Sequence, residues 1–184
     1  MPKLLKRSVL ILLSLILIGF TGMYFLKQNT KKHSPEETIT HNAKDATITV
    51  FYNRPYKKDR EIFGNLVPFG QVWRTGANEA TMLTTNKDLM IDGTSLKAGI
   101  YTLWTIPNPE SWKIIFNSKE YSWGVNMDGT VKRDPSYDAL TIEVPTIPLL
   151  NTKEQFSIYF ENANDFTIMY LAWDRTAVAI PIRV

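Results

Sequence analysis

Alternation of apolar and polar residues dominates the chain from Ala46 to its end. In ATITVFY (46–52), WKIIF (112–116) and FSIYF (156–160), every second side chain is apolar. A period of two residues is typical of β-strands that bury one face. Further runs of this kind lie at 81–85, 89–91, 100–106, 140–144, 166–173 and 178–184. The pattern predicts a mainly β domain, an antiparallel β-sandwich or open barrel of about eight or nine strands.

The N-terminal part of the chain has a different pattern. An uncharged run, SVLILLSLILIGFTGMYFL, extends from Ser8 to Leu26 and follows Lys3, Lys6 and Arg7. As a helix, its 19 residues nearly span the hydrocarbon core of a bilayer, which is about 30 Å thick. An uncleaved signal-anchor and a cleaved signal peptide both fit. The length of the run and the lack of an Ala-x-Ala site favour the anchor, an N-terminal transmembrane helix in residues 1–26.

The predicted location follows from this helix. Basic residues flank it on both sides, and the positive-inside rule leans towards a cytoplasmic N-terminus. We therefore predict a single-pass protein of the cell membrane, held in the bilayer by residues 8–26, with the C-terminal domain on the extracytoplasmic side. Residues 27–45, KQNTKKHSPEETITHNAKD, are polar and predict a flexible tether in which His33 and His41 are solvated. Residues 46–184 form the β-rich domain.

Charge and cysteine content exclude several classes of function. The formal net charge is +3, but the basic excess lies in the first 40 residues, and the rest of the chain is nearly neutral. A near-neutral domain has no electrostatic basis for binding nucleic acid. The absence of cysteine excludes disulfides, thiolate metal sites, cysteine nucleophiles and a lipoprotein anchor. We predict no cofactor, and the sequence does not indicate the oligomeric state.

The segment from Asn53 to Thr81 is long for a connection in a compact β domain. It contains the pattern R-P-x(4)-R-x-I-F-G-x-L-V-P-x-G-x-V-W-R-T-G-A-N-E-A-T. With later pieces such as Trp112 and Trp123-Gly124, this pattern resembles a bacterial family known as domain of unknown function 2911. The resemblance implies an exported, β-rich domain whose polar signature is concentrated in this segment, and it implies no activity. Asn53 stands where the family often has serine.

Two interpretations of this segment remain open. In the first, its arginines have a structural role and pair with Glu61, Glu79 or loop carbonyls. That role predicts that Arg74→Ala destabilises the domain by several kcal/mol, since the carboxylate partner of Arg74 would be left unpaired. In the second, the segment forms a pocket. The candidate binding residues are Arg54, Arg60, Trp73, Arg74, Asn78, Glu79, Trp104 and Trp123.

The pocket hypothesis gives each residue type a task. The arginines would bind an anion or sugar hydroxyls, and Asn78 would orient the ligand. Trp73 and Trp104 would be stacking walls, while Trp123 would lie at the rim. Gly76 would let the backbone approach a ligand or would occupy a turn with positive φ. Trp112 and Trp173 belong to apolar strands and are predicted to lie in the core.

Catalysis is the alternative function. The predicted domain has no histidine, so a Ser-His-Asp triad and a zinc site are not expected. A hydrolase or lyase acting on a saccharide or another polar substrate would use the carboxylates of Glu61 and Glu79. Residues 126–134 contain oxygen ligands but lack EF-hand spacing, which favours a solvated turn over a calcium loop. The sequence favours a non-catalytic module that uses the Arg54–Glu79 segment to bind a small polar or saccharide ligand or an envelope protein.

Overall fold

A computed structural model describes residues 3–126 and 128–184, which form two units. The first is a helix, α1, from Lys3 to His33. It is long and apolar enough to cross a membrane, and a membrane anchor and a signal sequence both have these properties. The hydroxyls of Ser14 and Thr21 donate to the carbonyls of Leu10 and Leu17 at 2.9 and 2.7 Å. These bonds satisfy the two hydroxyl groups within the helix itself.

The second unit, Ser34–Val184, confirms the prediction of a mainly β, antiparallel domain. Its nine strands in the described residues form one open sheet in the order β1-β2-β3-β6-β7-β8-β9-β4-β5. A short 3-10 helix, Pro135–Tyr137, precedes β8. The strands are β1 (Glu36–Ala43), β2 (Ala46–Asn53), β3 (Thr81–Thr85), β4 (Leu89–Ile91), β5 (Thr94–Leu96), β6 (Gly99–Pro107), β7 (Ser111–Asn117), β8 (Asp138–Ala163) and β9 (Phe166–Arg183).

The sheet folds over itself because β8 pairs with β7 from Asp138 to Pro145 and with β9 from Thr146 to Ala163. The register with β9 shifts between Pro148 and Ser157, where the strand changes direction. Tyr52 of β2 then meets the second half of β8. Its hydroxyl donates to the Ile158 carbonyl at 3.2 Å and accepts from the Ile158 N–H at 3.0 Å. The main core lies between the facing surfaces.

Aromatic rings fill one end of this core. Trp73 stacks on Trp173 with ring centroids 5.8 Å apart, and Phe63, Trp112 and Phe156 pack around the pair. Trp112 and Trp173 are each 1% exposed, in agreement with the prediction that they belong to the core. A smaller cluster covers the opposite face of the sheet. It consists of Ala80, Trp104, Ile115 and Tyr121, with Val72, Ile106 and Val131 against it.

The predicted tether, residues 27–45, is not a tether in the structure. Residues 27–33 continue α1, and β1 pairs with β2 from Glu36↔Asn53 to Ala43↔Ala46. The alternation in β1 was hidden because Ile39 is its only large aliphatic residue. His41 is therefore not a solvated linker residue. Its ring stacks on Phe160 with centroids 5.0 Å apart, and its Nε2 lies 3.1 Å from Asn162 Oδ1.

We expect the stability of the protein to fall as the pH rises above about 10. Burial, and then the carboxylate of Glu37, raise the pKa of Tyr52 well above its ordinary value. Between the unfolded and the folded pKa, the unfolded state loses a proton that the folded state keeps, so rising pH favours unfolding. Tm measured across alkaline pH checks this. Tyr52→Phe should flatten the decline, and Tyr137→Phe, which alters an exposed ring, should leave it unchanged.

Candidate functional site

The segment from Asn53 to Thr81, called the signature segment below, runs beside the end of β6 that lies beyond the pairing of β6 with β3. Trp73 exchanges two backbone hydrogen bonds with Thr105, at 2.7 and 3.0 Å, and Gly70 N–H donates to the Pro107 carbonyl at 2.9 Å. The segment thus bonds to the C-terminal end of β6, whereas β3 pairs with the N-terminal part of β6. Side chains alternate across it, so Trp73 enters the main core while its neighbours Val72 and Arg74 belong to the opposite face.

A buried turn connects this segment to β3. Thr75 and Asn78 each have φ of 55°, and Gly76 has φ of 141°. The Thr75 hydroxyl donates to Thr105 Oγ1 at 3.2 Å, and the Thr81 hydroxyl donates to the Thr75 carbonyl at 2.6 Å. These bonds satisfy the polar groups that the turn buries. The turn therefore has a structural role, and Gly76 occupies a position that requires positive φ.

Asn78 and Glu79 lie together at the end of β2. The Asn78 amide donates to Asn53 Oδ1 at 3.3 Å and to the Ser34 carbonyl at 3.4 Å. The Asn53 amide in turn donates to Glu79 Oε2 at 3.1 Å. Asn78 is only 7% exposed. This network joins the signature segment to Ser34, the first residue of the second unit, and uses the N–H groups of the Asn78 amide.

Arg54 and Arg60 are not brought together. The Arg54 guanidinium pairs with Glu37 at 2.9 Å and donates to Ser157 Oγ at 3.3 Å, so it connects β1 to β8. The predicted partners Glu61 and Glu79 are not the ones it uses. Arg60 is exposed and donates to the carbonyls of Tyr56 and Lys57 within its own loop. Arg54 therefore stabilises the contact between two strands, and Arg60 stabilises the backbone of its own loop.

Trp104 is not a stacking wall. It is fully buried in the smaller cluster, its Nε1 donates to Thr102 Oγ1 at 2.9 Å, and Tyr121 packs edge-on against its ring. Trp73 is half-buried, and its indole donates to the Gly76 carbonyl at 3.1 Å. Its ring faces are taken by the aromatic cluster. Neither indole offers a free face to a ligand.

Arg74 and Trp123 do lie close together. The aliphatic part of Arg74 packs on Gly124 so closely that a Cβ there would lie 2.5 Å from Arg74 Cδ. Burial lowers the pKa of Arg74. Within residues 3–126 and 128–184 its buried Nε has no hydrogen-bond partner. The carboxylate partner expected for Arg74 is thus not present there, and the predicted loss on Arg74→Ala through an orphaned carboxylate has no basis. Trp123 lines a cleft of about 300 Å³.

The signature segment also forms one wall of a second cleft, of about 340 Å³, which we call the Glu61 cleft. Its other walls are the turn between β6 and β7, at Asn108 and Pro109, and the polar residues 174–176 of β9. Phe69 presents 41% of its surface, and its ring packs over Gly64, where a Cβ would lie 2.8 Å from the ring. The cleft is lined by Glu61, Phe63, Phe69, Asn108, Pro109, Trp112, Asp174, Arg175 and Thr176.

The Glu61 cleft combines aromatic surface with planar polar groups. The Trp112 indole lines it, and its buried Nε1 has no partner in the described part of the chain. Asp174 has φ of 54°, and its Oδ2 lies 3.5 Å from Lys57 Nζ. Phe63 stands between the cleft and the aromatic cluster. Such a surface suits a small polar ligand that has an apolar face.

The carboxylate pair of the alternative function is separated. Glu61 lines the cleft, whereas Glu79 is bonded to Asn53 at the end of β2 and does not line it. Asp174 shares the cleft with Glu61 instead. Asn108, Asp174 and Arg175 were missed because they come from distant parts of the chain. The one local signal for the last two was a charged pair between Trp173 and Thr176 in an otherwise apolar run.

The acidic loop at 126–134 has the geometry of a solvated turn. Asp128 Oδ1 accepts from the Thr130 N–H at 3.0 Å, and Asp134 Oδ1 accepts from the Ser136 N–H at 3.1 Å. The hydroxyls of Thr130 and Ser136 donate to the same oxygens at 2.6 and 2.7 Å, and these bonds, followed by the backbone bonds, lower the pKa of both carboxyls. Met127 lies outside the described residues. Among those described, no group of three or more His, Cys, Asp or Glu side chains is placed to hold a metal ion.

Comparison with known proteins gives a family and no activity. Residues 34–182 match the model of a family described as Protein of unknown function (DUF2911). The chain belongs to this family. No curated protein and no solved structure matches the chain. The DUF2911 match begins at Ser34, so it includes β1, which the sequence pattern had assigned to a tether. It also includes every lining residue of the Glu61 cleft.

Proposed function

We propose that the β unit is a non-catalytic binding module that holds a saccharide in the Glu61 cleft. The observation that supports this most directly is the composition of the cleft. Phe69 offers an exposed ring, and Trp112, Glu61, Asn108 and Arg175 line the same cleft. Sugar rings have apolar faces that pack on aromatic rings, and their hydroxyls both donate and accept hydrogen bonds.

The charges of the cleft favour a neutral ligand. Glu61 and Asp174 supply two carboxylates, while Arg175 lines the cleft and Lys57 is paired with Asp174. The two signs offset each other, so neither an anion nor a cation has a clear advantage. Carboxylate, amide and guanidinium groups in one cleft can serve several hydroxyls at once.

Binding is tested with the full-length protein in a polyoxyethylene detergent, which has no sugar headgroup. Soluble oligosaccharides of glucose and of N-acetylglucosamine are titrated, with Tm and tryptophan fluorescence as readouts, because a ligand of the folded state raises Tm. We expect Phe69→Ala to weaken binding about tenfold through lost ring contact. Tyr137→Ala removes a similarly exposed ring outside the cleft and should bind like the parent. Equal binding by all three proteins would exclude the cleft.

The same titration addresses catalysis. Glu61 and Asp174 line one cleft, so the carboxylates required for glycoside cleavage are both present. Chromatography of the oligosaccharides after incubation reports any cleavage. The binding-module proposal predicts intact sugars. Cleavage that Glu61→Gln and Asp174→Asn each abolish would replace it with a hydrolase.

We also propose that α1 is an uncleaved anchor that places the β unit on the extracytoplasmic side of the cell membrane. The support is the length of the apolar run from Ser8 to Leu26, which lies within a helix that continues to His33, and the absence of an Ala-x-Ala site. Mass spectrometry of the protein from membranes should give a mass that includes residues 1–26. Protease added to intact spheroplasts should remove the β unit. A mass that corresponds to a protein lacking part or all of α1 would identify a cleaved signal peptide.

A further inference from the structure

One loop of the second unit carries an unusually exposed apolar side chain. Leu150 exposes 96% of its surface, whereas the other large apolar side chains described in this unit expose 46% or less. Between Pro148 and Lys153, β8 has four residues where β9 has one between their partners. The extra residues must leave the plane of the sheet. Residues 149–152 therefore protrude, and we call them the Leu150 loop.

The Leu150 loop lies at the end of the unit where the chain enters it, which we call the entry end. Pro35 is the second residue of the unit, and its carbonyl accepts from the Arg54 N–H at 2.8 Å. The Arg54 carbonyl in turn accepts from Gln155 Nε2 at 3.0 Å. Gln155 follows the loop by three residues, which span only about 10 Å when extended. The loop and the first residues of the unit are therefore close together.

The apolar helix connects directly to the entry end. α1 ends at His33, and Ser34 begins the second unit with no residue between them. A helix that remains in a bilayer therefore keeps Ser34 and Pro35 within a few residues of the lipid headgroups. Exposed side chains at the entry end then have a lipid surface within reach.

Two cations accompany the Leu150 loop. Lys153 Nζ lies 5.5 Å from the centroid of the Tyr159 ring, and Arg175 Nε donates to Thr152 Oγ1 at 3.5 Å. Neither cation forms an ion pair within the part of the chain that the structure describes. Residues 145–153 contain no acidic side chain. The surroundings of the leucines thus favour an anionic partner over a cationic one.

We propose that the Leu150 loop is a second membrane contact of this protein, which inserts Leu149 and Leu150 between the headgroups of an anionic bilayer. Leucine side chains gain free energy when they leave water for the acyl region, and nearby lysine and arginine attract lipid phosphates. Tyrosine, here Tyr159, is also common at this depth. The contact depends on the anchor proposed above, because α1 is what holds the entry end near lipid.

The test places a fluorescent reporter beside the leucines of the full-length protein. The chain has no cysteine, so Asn151→Cys provides a single thiol in the loop for an environment-sensitive dye. The protein is reconstituted in bilayers of phosphatidylcholine with phosphatidylglycerol, some of whose lipids carry a nitroxide quencher at the headgroup. We expect an emission shifted to shorter wavelength and strong quenching of the dye by the nitroxide.

Asp165→Cys is the matched control for the reporter. Asp165 is exposed in the turn between β8 and β9, at the other end of these strands. There β1 and β8 meet again, where His41 Nε2 lies 3.1 Å from Asn162 Oδ1. A dye at this position should stay in water and show little quenching.

Variants in the Asn151→Cys background assign the contact to the loop. Leu149→Ser combined with Leu150→Ser should abolish the shift and most of the quenching, since both anchoring side chains are lost. Lys153→Gln should reduce the difference between bilayers with and without phosphatidylglycerol. Lys119→Gln is the charge control, because Lys119 already faces Asp134 at 3.7 Å and should have no effect. Unchanged Tm values show that the variants fold.

Two results would overturn the proposal. One is equal quenching at positions 151 and 165. The other is a shifted emission at 151 that the lipid nitroxide does not quench, which would mean that another protein surface, such as a second copy of this chain, covers the loop. Failure of the anchor gives a different result, because the protein would then separate from the bilayers on size-exclusion chromatography.

Discussion

Gly76→Ala should lower the free energy of unfolding by about 2–5 kcal/mol. Gly76 has φ of 141°, which residues with a side chain rarely adopt, and a Cβ at this position would lie 2.8 Å from the backbone carbonyl oxygen of Asn53. That oxygen belongs to the end of β2 and cannot move without disturbing its pairing with β1. Chemical denaturation of the full-length protein, followed by tryptophan fluorescence, measures the loss.

Gly93→Ala is the matched control for this prediction. Gly93 also has positive φ, 77°, but a Cβ there would meet nothing within 4 Å. It should therefore show only the backbone cost, about 1–2 kcal/mol. If the two substitutions lower the free energy of unfolding equally, the buried turn does not pack closely against β2.

Trp173→Ala should cost about 3–5 kcal/mol, the range for removing a large buried aromatic side chain. Trp173 is 1% exposed, and it stacks on Trp73 with Phe63 and Phe156 at its edges. The loss of this ring would open a cavity at the centre of the aromatic cluster. The same denaturation experiment measures the change.

Trp173→Phe separates the volume of the ring from its polar group. The Trp173 Nε1 atom is buried and has no hydrogen-bond partner in the described residues, so only volume is lost with it. We expect a cost of about 1–2 kcal/mol. A cost close to that of Trp173→Ala would mean that the indole N–H bonds an acceptor in the folded protein.

The strands that could be predicted from the sequence are those in which burial selects the side chains. β7 and β9 contribute apolar residues to the core at every second position, and that selection is visible in the sequence. β1 was missed because an edge strand is held by backbone hydrogen bonds, which leave no trace in side-chain type. Its outer face carries Thr38, Thr40 and Asn42, a composition shared with a solvated loop.

The candidate sites were harder to predict for a different reason. Most polar residues of the signature segment serve the turn and the strand ends that they contact. Trp104 and Trp123 are the same residue type, and only tertiary packing decides that one is core and the other lines a cleft. The Glu61 cleft joins Phe69 to Asn108 and Asp174, three positions whose proximity depends on the folding of the sheet.

The pairing of β1 with β2 determines at which residue a stable fragment of this protein can begin. A fragment that begins at Ala46 would lose all eight residues of β1 and expose the backbone edge of β2 along Ile48, Val50 and Tyr52. An uncovered strand edge recruits strands from other molecules, so such a fragment should aggregate. It would also lack Glu37 and Ser34, which bond Arg54 and Asn78. Soluble versions for crystallisation should therefore start at Ser34.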